Sequence, residues 1–221
     1  MRIEKFVHSC LRLTVDGEHL LFDPGKFSFI DGRVEPAIFS DVSTVVLTHD
    51  HPDHIDKDAL GAIIRASGAT VIGNAGVAKA LEDTGLAVKV VETGVHVFGA
   101  FRIEAQPVKH QPILSDETPQ VTAFLVNDVF LNPGDSFDPR LNRFAGVEVL
   151  ALPVMAPFLT ELDVFEFARR LSPTRIIPVH DGYARDWFLK QRYDVYAPYL
   201  TASGIKLERL VRVGDAVDVT G

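Results

Sequence analysis

The sequence predicts an α/β sandwich, two β-sheets packed on each other with helices on the outside. Three observations carry that expectation. Short apolar, β-branched runs alternate with stretches of helical period. The runs fall into two sets, one in each half of the chain, each ending in helical segments. Two of them, Val42 to Thr48 and Val147 to Leu152, are apolar almost throughout, the pattern of strands covered on both faces.

The elements follow in order. Residues 2 to 15 alternate loosely and lead through Asp16-Gly17 into His19 to Asp23, which reads as two strands joined by a tight hairpin. After the strand Val42 to Thr48, Asp56 is placed to cap a helix carrying Leu60, Ile63 and Ile64 on one face. The strand Thr70 to Ile72 separates it from a second helix with Val77, Ala80, Leu81 and Thr84 before Gly85. A β-rich stretch comes next: Val88 to Val91, Val95 to Phe98, Phe101 to Val108, Thr122 to Val126 and Val129 to Leu131. Beyond the strand Val147 to Leu152, Thr160 and Asp163 form a capping box ahead of the stripe Val164, Phe167, Ala168 and Leu171. Arg175 to Val179 is a strand ending at His180, a helix covers Ala184 to about Thr201, and strands at Lys206 to Arg209 and Ala216 to Val219 follow. With no repeat, low-complexity tract or linker, residues 1–221 read as a single domain.

Composition narrows the function. A net charge of -8 opposes the phosphates of nucleic acid and of anionic bilayers, which leaves a small molecule as the expected partner. No apolar run is long enough for a spanning helix and MRIEKFVHSC does not read as a leader, so a cytoplasmic location is expected. Homo-oligomers are common enough to make one the expected assembly. Cys10 is the one cysteine, so a bound metal would be held by nitrogen and oxygen.

Such donors crowd into Thr48-His49-Asp50-His51-Pro52-Asp53-His54, directly after a buried strand. His49 and His51 leave the same face of an extended segment and can share one cation. Asp53 and His54, past Pro52, swing a carboxylate and a third imidazole toward a second point nearby. His110, Asp135 and His180 each follow a predicted strand, so every candidate ligand lies at a strand's C-terminal end. Imidazole and carboxylate suit zinc, manganese or iron, and two adjacent divalent ions fit this donor set better than one. Thr48, Asp50 and Pro52 read as spacing and backbone.

The run His-x-His-x-Asp-His at 49 to 54, followed by His110, Gly134-Asp135 and His180, resembles the metallo-β-lactamase fold superfamily over nearly the whole chain. The resemblance implies a four-layer αβ/βα sandwich. It implies that His49, His51 and His110 hold one ion, Asp53, His54 and His180 the other, and that Asp135 bridges them. It implies further a hydrolase in which hydroxide shared by the ions attacks a small ester, lactone or phosphodiester. Asp53 and His54 would then be catalytic, with Asp53 orienting the hydroxide and shuttling its proton. Val7-His8-Ser9-Cys10-Leu11 and Leu20-Leu21-Phe22-Asp23-Pro24 resemble the branch of L-ascorbate-6-phosphate lactonase-like proteins, with Val7 where that branch has Gly. A tRNase Z-type phosphodiesterase and a non-catalytic metal-binding module are the alternatives on this fold. Three residues stand near the expected centre: His8, on the first strand, as an outer partner of the metals, a substrate contact or a satisfied strand histidine; Asp181, orienting His180 or another ligand, or solvated; and Tyr183, donating to an oxyanion or packing in the core.

Overall fold

The computed structural model describes residues 1–220. In chain order the strands are Arg2–Lys5 (β1), Leu11–Val15 (β2), Glu18–Phe22 (β3), Thr44–Val46 (β4), Thr70–Gly73 (β5) and Val88–Val90 (β6), then Gly94–Phe98 (β7), Phe101–Lys109 (β8), Gln120–Val126 (β9), Phe130–Asn132 (β10), Val149–Pro153 (β11), Arg175–Val179 (β12), Lys206–Leu207 (β13) and Asp215–Asp218 (β14). They form two seven-stranded sheets, ordered β14-β1-β2-β3-β4-β5-β6 and β13-β12-β11-β10-β9-β8-β7. Each sheet is antiparallel at one end and parallel at the other, with the change at β3–β4 in the first and β10–β11 in the second.

The sandwich follows from which faces are apolar. Leu11, Leu13, Leu20, Phe22, Val46 and Ile72 of the first sheet meet Phe101, Ile103, Phe124, Val126, Phe130 and Ile177 of the second. Period-2 alternation turns Val121, Ala123 and Leu125 of β9 the other way, under Val164, Phe167, Leu171, Tyr193, Tyr196 and Leu200 of the helices Glu161–Leu171 and Asp186–Ala202. The outer face of the first sheet, Leu21, Val45, Leu47 and Val71, is covered by Leu60 and Ile63 of the helix Lys57–Ser67. Asp56 accepts from the Ala59 backbone N–H, and Thr160 with Asp163 forms the reciprocal capping box. The four-layer α/β expectation holds, and among the described residues no helix is long and apolar enough to cross a membrane.

Four local expectations need correction. Residues 2 to 15 are two strands, broken at Phe6–Cys10 by a turn in which Phe6 N–H donates to Cys10 O, Cys10 N–H donates to Val7 O and His8 takes φ +64°. Loose alternation continued through the turn and hid it. The helix before Gly85 is only Ala75–Ala80, followed by a 3-10 turn at Glu82–Thr84. The last helix starts at Asp186 and not at Ala184, and β13 stops at Leu207.

Candidate metal centre

β4, β8, β10 and β12 all deliver their C-terminal ends to one edge of the sandwich, and His49–His54, His110, Asp135 and His180 follow them there. The segment 49 to 54 folds onto the end of β3: Asp23 N–H donates to Val46 O, and Lys26 N–H donates to Pro52 O. Gly25 is required for this approach, since a Cβ there would stand 1.8 Å from the Asp53 carbonyl oxygen.

The donors gather in two groups, His49, His51, His110 and Asp135, and His8, Asp53, His54 and His180, each able to offer ligand atoms within 4.8 Å of one another. Asp135 reaches both. Its Oδ2 lies 3.8 Å from His49 Nε2, 3.6 Å from His110 Nε2 and 3.0 Å from His180 Nε2, and its Oδ1 lies 3.4 Å from His54 Nε2. Two ligands bound tetrahedrally at the zinc–nitrogen distance stand about 3.4 Å apart, so these gaps have the size of a shared ion.

The outer hydrogen bonds fix which nitrogen faces inward. His54 Nδ1 donates to Asp23 Oδ2 at 3.0 Å, His110 Nδ1 to Gln111 O at 2.6 Å and His180 Nδ1 to Met155 O at 2.7 Å. The Thr48 hydroxyl donates to Asp23 Oδ2 at 2.9 Å and so accepts from His49 Nδ1 at 3.0 Å. In a neutral ring, Nε2 then points its lone pair at carboxylate lone pairs. Among the described residues seven buried side-chain polar atoms lack a hydrogen-bond partner, and five of them are here: Nε2 of His54, His110 and His180, and both oxygens of Asp135. Buried acceptors facing buried acceptors are costly until a cation stands between them. The donor set therefore fits a divalent ion.

A family model described as the beta-lactamase superfamily domain matches residues 2–180. The chain belongs to the beta-lactamase superfamily. The chain is 29% identical over 197 residues to protein Rv0786c of Mycobacterium tuberculosis, covering 82% of this chain and 84% of that one. It is 27% identical over 228 residues to a UPF0173 metal-dependent hydrolase of Methylobacterium nodulans, covering 94% and 95%. Among solved structures, Igni18, a metallo hydrolase from Ignicoccus hospitalis, superposes with a TM-score of 0.70 at 20% identity over 98% of this chain and 97% of that one. The isothiocyanate hydrolase from Delia radicum gut bacteria gives 0.72 at 16% identity, covering 100% of each. At such identities the superpositions show the fold alone.

In this superfamily member, burial and the facing charges shift the ionisable groups of the site in opposite directions. Burial pulls the His180 imidazole down, but Asp135 and Asp53 outweigh it and raise its pKa to about 10. His54 is likewise held well above the ordinary imidazole value, burial being outweighed by Asp135 and Asp23. Burial would raise Asp135 and Asp53; the imidazoles around them hold both well below the carboxylate range. In the other group burial dominates and lowers His49 and His51. His8 is lowered to about 4 by burial and by His180.

Of the residues expected near the centre, His8 sits in the β1–β2 turn, with Nε2 3.1 Å from Asp53 Oδ2. Asp181 does not orient His180. Its carboxylate is taken by the buried Lys5 ammonium and the Tyr193 hydroxyl, while the chain bends at His180, φ +61°, and His180 Nδ1 goes to Met155 O. Tyr183 borders the cleft, but its hydroxyl donates to Met155 O at 2.6 Å and leaves the ring to line the cleft. Two functional residues are additional to those expected: Asp23, which holds His54 and both the N–H and the hydroxyl of Thr48, and Thr48 itself, which has more than a spacing role. Asp-Pro at a strand end beside the cluster was the available signal for Asp23.

Beside the two groups opens a cleft of about 520 Å³. Its walls are Phe27, Ile113, Pro157, Phe158 and the Tyr183 ring, and besides the histidines of the site Lys26 is the one basic residue among the described residues that line it.

Proposed function

We propose that this chain is a metal-dependent hydrolase that cleaves a small ester, lactone or phosphodiester with hydroxide as nucleophile. The observation that carries the reading is the convergence of unpartnered Nε2 and carboxylate atoms, in two groups joined by Asp135, at the floor of the cleft. His49, His51 and His110 would hold one divalent ion, Asp53, His54 and His180 the other, and Asp135 would reach both; zinc suits the donors best, with manganese and iron next. When bound, two such ions lower the pKa of a shared water toward neutrality and polarise the substrate oxygen.

The protein's own groups set the rest. Asp23, Thr48, Gln111 and Met155 hold the four outward Nδ1–H groups, so the inward nitrogens are the ones available as ligands once a metal displaces any proton they carry. Asp53 accepts hydrogen bonds and is held far below the carboxylate range, which suits a ligand that orients the nucleophile and makes it a weak proton acceptor. Aromatic and aliphatic walls favour a substrate with an apolar acyl or aryl arm. Within the lactonase-like branch, this suits an apolar lactone better than a polyhydroxylated sugar phosphate. The charge of -8 speaks against RNA.

The test combines metal analysis of the purified protein with hydrolysis of p-nitrophenyl esters, a lactone panel and bis-p-nitrophenyl phosphate. Wild type is compared with Asp53→Ala and His54→Ala. Two bound ions and turnover lost in both variants are expected. A protein that takes up no metal, or one that binds two ions and turns over none of the substrates, overturns the hydrolase reading; the latter makes the chain a binding module.

A further inference from the structure

His8 is bonded the opposite way round from the other imidazoles. His54, His110 and His180 each donate Nδ1–H outward and leave Nε2 without a partner, and His49 also donates Nδ1–H outward, its Nε2 lying 3.2 Å from His51 Nδ1. The Nδ1 of His8 instead accepts the backbone N–H of Gly182 at 3.0 Å. A backbone N–H can only donate, so this bond uses the Nδ1 lone pair and leaves the hydrogen of the neutral ring on Nε2. That Nε2 is 3.1 Å from Asp53 Oδ2, the oxygen that lies 3.2 Å from His180 Nε2. An N–H cannot ligate, although the ring stands among the ligands.

The surroundings are built to place this ring. His8 takes φ +64°, a conformation that is uncommon for a residue with a side chain. Gly182 comes so close that a Cβ would stand 2.8 Å from His8 Cβ, and Arg33 fixes that loop by donating to Gly182 O at 2.8 Å. The ring is 1% exposed, so bulk solvent does not reach it. Among the described residues, His8 is the one hydrogen-bond donor to the Asp53 carboxylate apart from the expected ligand imidazoles.

We infer that His8 is a positioning residue and not an eighth ligand: its Nε2–H, oriented by Gly182, holds Asp53 Oδ2 toward His54 and His180. This rests on the reading that Asp53, His54 and His180 share an ion. It assigns to the N-terminal turn control of one metal position and not the other.

The experiment has two arms. In ¹⁵N-histidine-labelled wild-type protein, long-range ¹H–¹⁵N spectra report the His8 tautomer with and without metal, and the Nε2–H form is expected in both. Zinc or cobalt titration of His8→Ala is expected to show the second ion weakened by about 10- to 100-fold with the first unchanged. His8→Gln, whose amide nitrogen can reach the Nε2 position, should recover most of the loss. An Nδ1–H tautomer, a ¹¹³Cd coupling to a His8 nitrogen, unchanged affinity in His8→Ala, or no recovery in His8→Gln each overturns the inference. Fewer than two ions in wild type would defeat the dinuclear reading instead, while the tautomer of the metal-free protein still decides the role of His8 should a variant fail to fold.

Discussion

The two ligand groups are supported over very different lengths of chain. His49 leans on Thr48 and His110 on Gln111, each a sequence neighbour. His54 leans on Asp23, His180 on Met155, Asp53 on His8 and His8 on Gly182, separations of 31, 25, 45 and 174 residues. Local structure therefore orients the first group, and only the assembled sandwich orients the second. The difference predicts that remote substitutions and mild denaturation act on the second ion before the first.

Asp135 is the exception that belongs to both, so Asp135→Ala should abolish the contrast. Calorimetric zinc titration is expected to show both ions weakened by more than about 100-fold, beyond what outer partners contribute; loss of one ion alone would contradict the bridging geometry. Next in size, Asp181→Ala strands the buried Lys5 ammonium, which lines one pocket with His8, and should cost about 3–5 kcal/mol in urea unfolding. In the remaining folded protein, the second ion should be the weaker one. Asp23→Ala and Thr48→Val form a sharper pair. Asp23 serves His54 directly and His49 through Thr48, so its loss should weaken both ions about 10- to 100-fold, whereas Thr48→Val should weaken chiefly the first.

A separate way to split the two groups is pH. An ion entering the second group must displace protons from His180, with a pKa of about 10, and from the raised His54. Its affinity should climb between pH 7 and 10 by up to about tenfold per unit for each proton displaced. His49 and His51 are lowered and already neutral, so these two add no such slope to the first ion. Linkage gives a matching sign for the metal-free protein. A raised imidazole pKa contributes stability below the unfolded value and loses it as pH passes about 10, while the lowered Asp135 contributes above the ordinary carboxylate value and loses it on acidification. Metal-free protein should therefore melt at lower temperature above pH 10, and loaded protein should not share that dependence.

The same contrast decides what was legible in the sequence. Strand ends, the capping box at Thr160 and the cluster 49 to 54 depend on neighbours in the chain, and periodicity exposes them. The turn at Phe6–Cys10, the role of Asp23 and the Lys5–Asp181–Tyr193 cluster are contacts across the fold, with no local pattern to mark them. Alternation also continues through a turn whose residues are themselves buried, as His8, Ser9 and Cys10 are. Asp181 illustrates the limit: adjacency to His180 suggested an orienting role, but the backbone between them sends the two side chains to different partners.

The placement of the centre at the edge of the sandwich also has a mechanical side. His49, His51, Asp53 and His54 hang from the first sheet, and His110, Asp135 and His180 from the second, so each ion would be gripped from both halves. Bound metal then acts as a pair of rivets through a seam that is otherwise closed by apolar side chains, and chelation should let amide hydrogens on the facing strands exchange faster while the outer helices keep their protection.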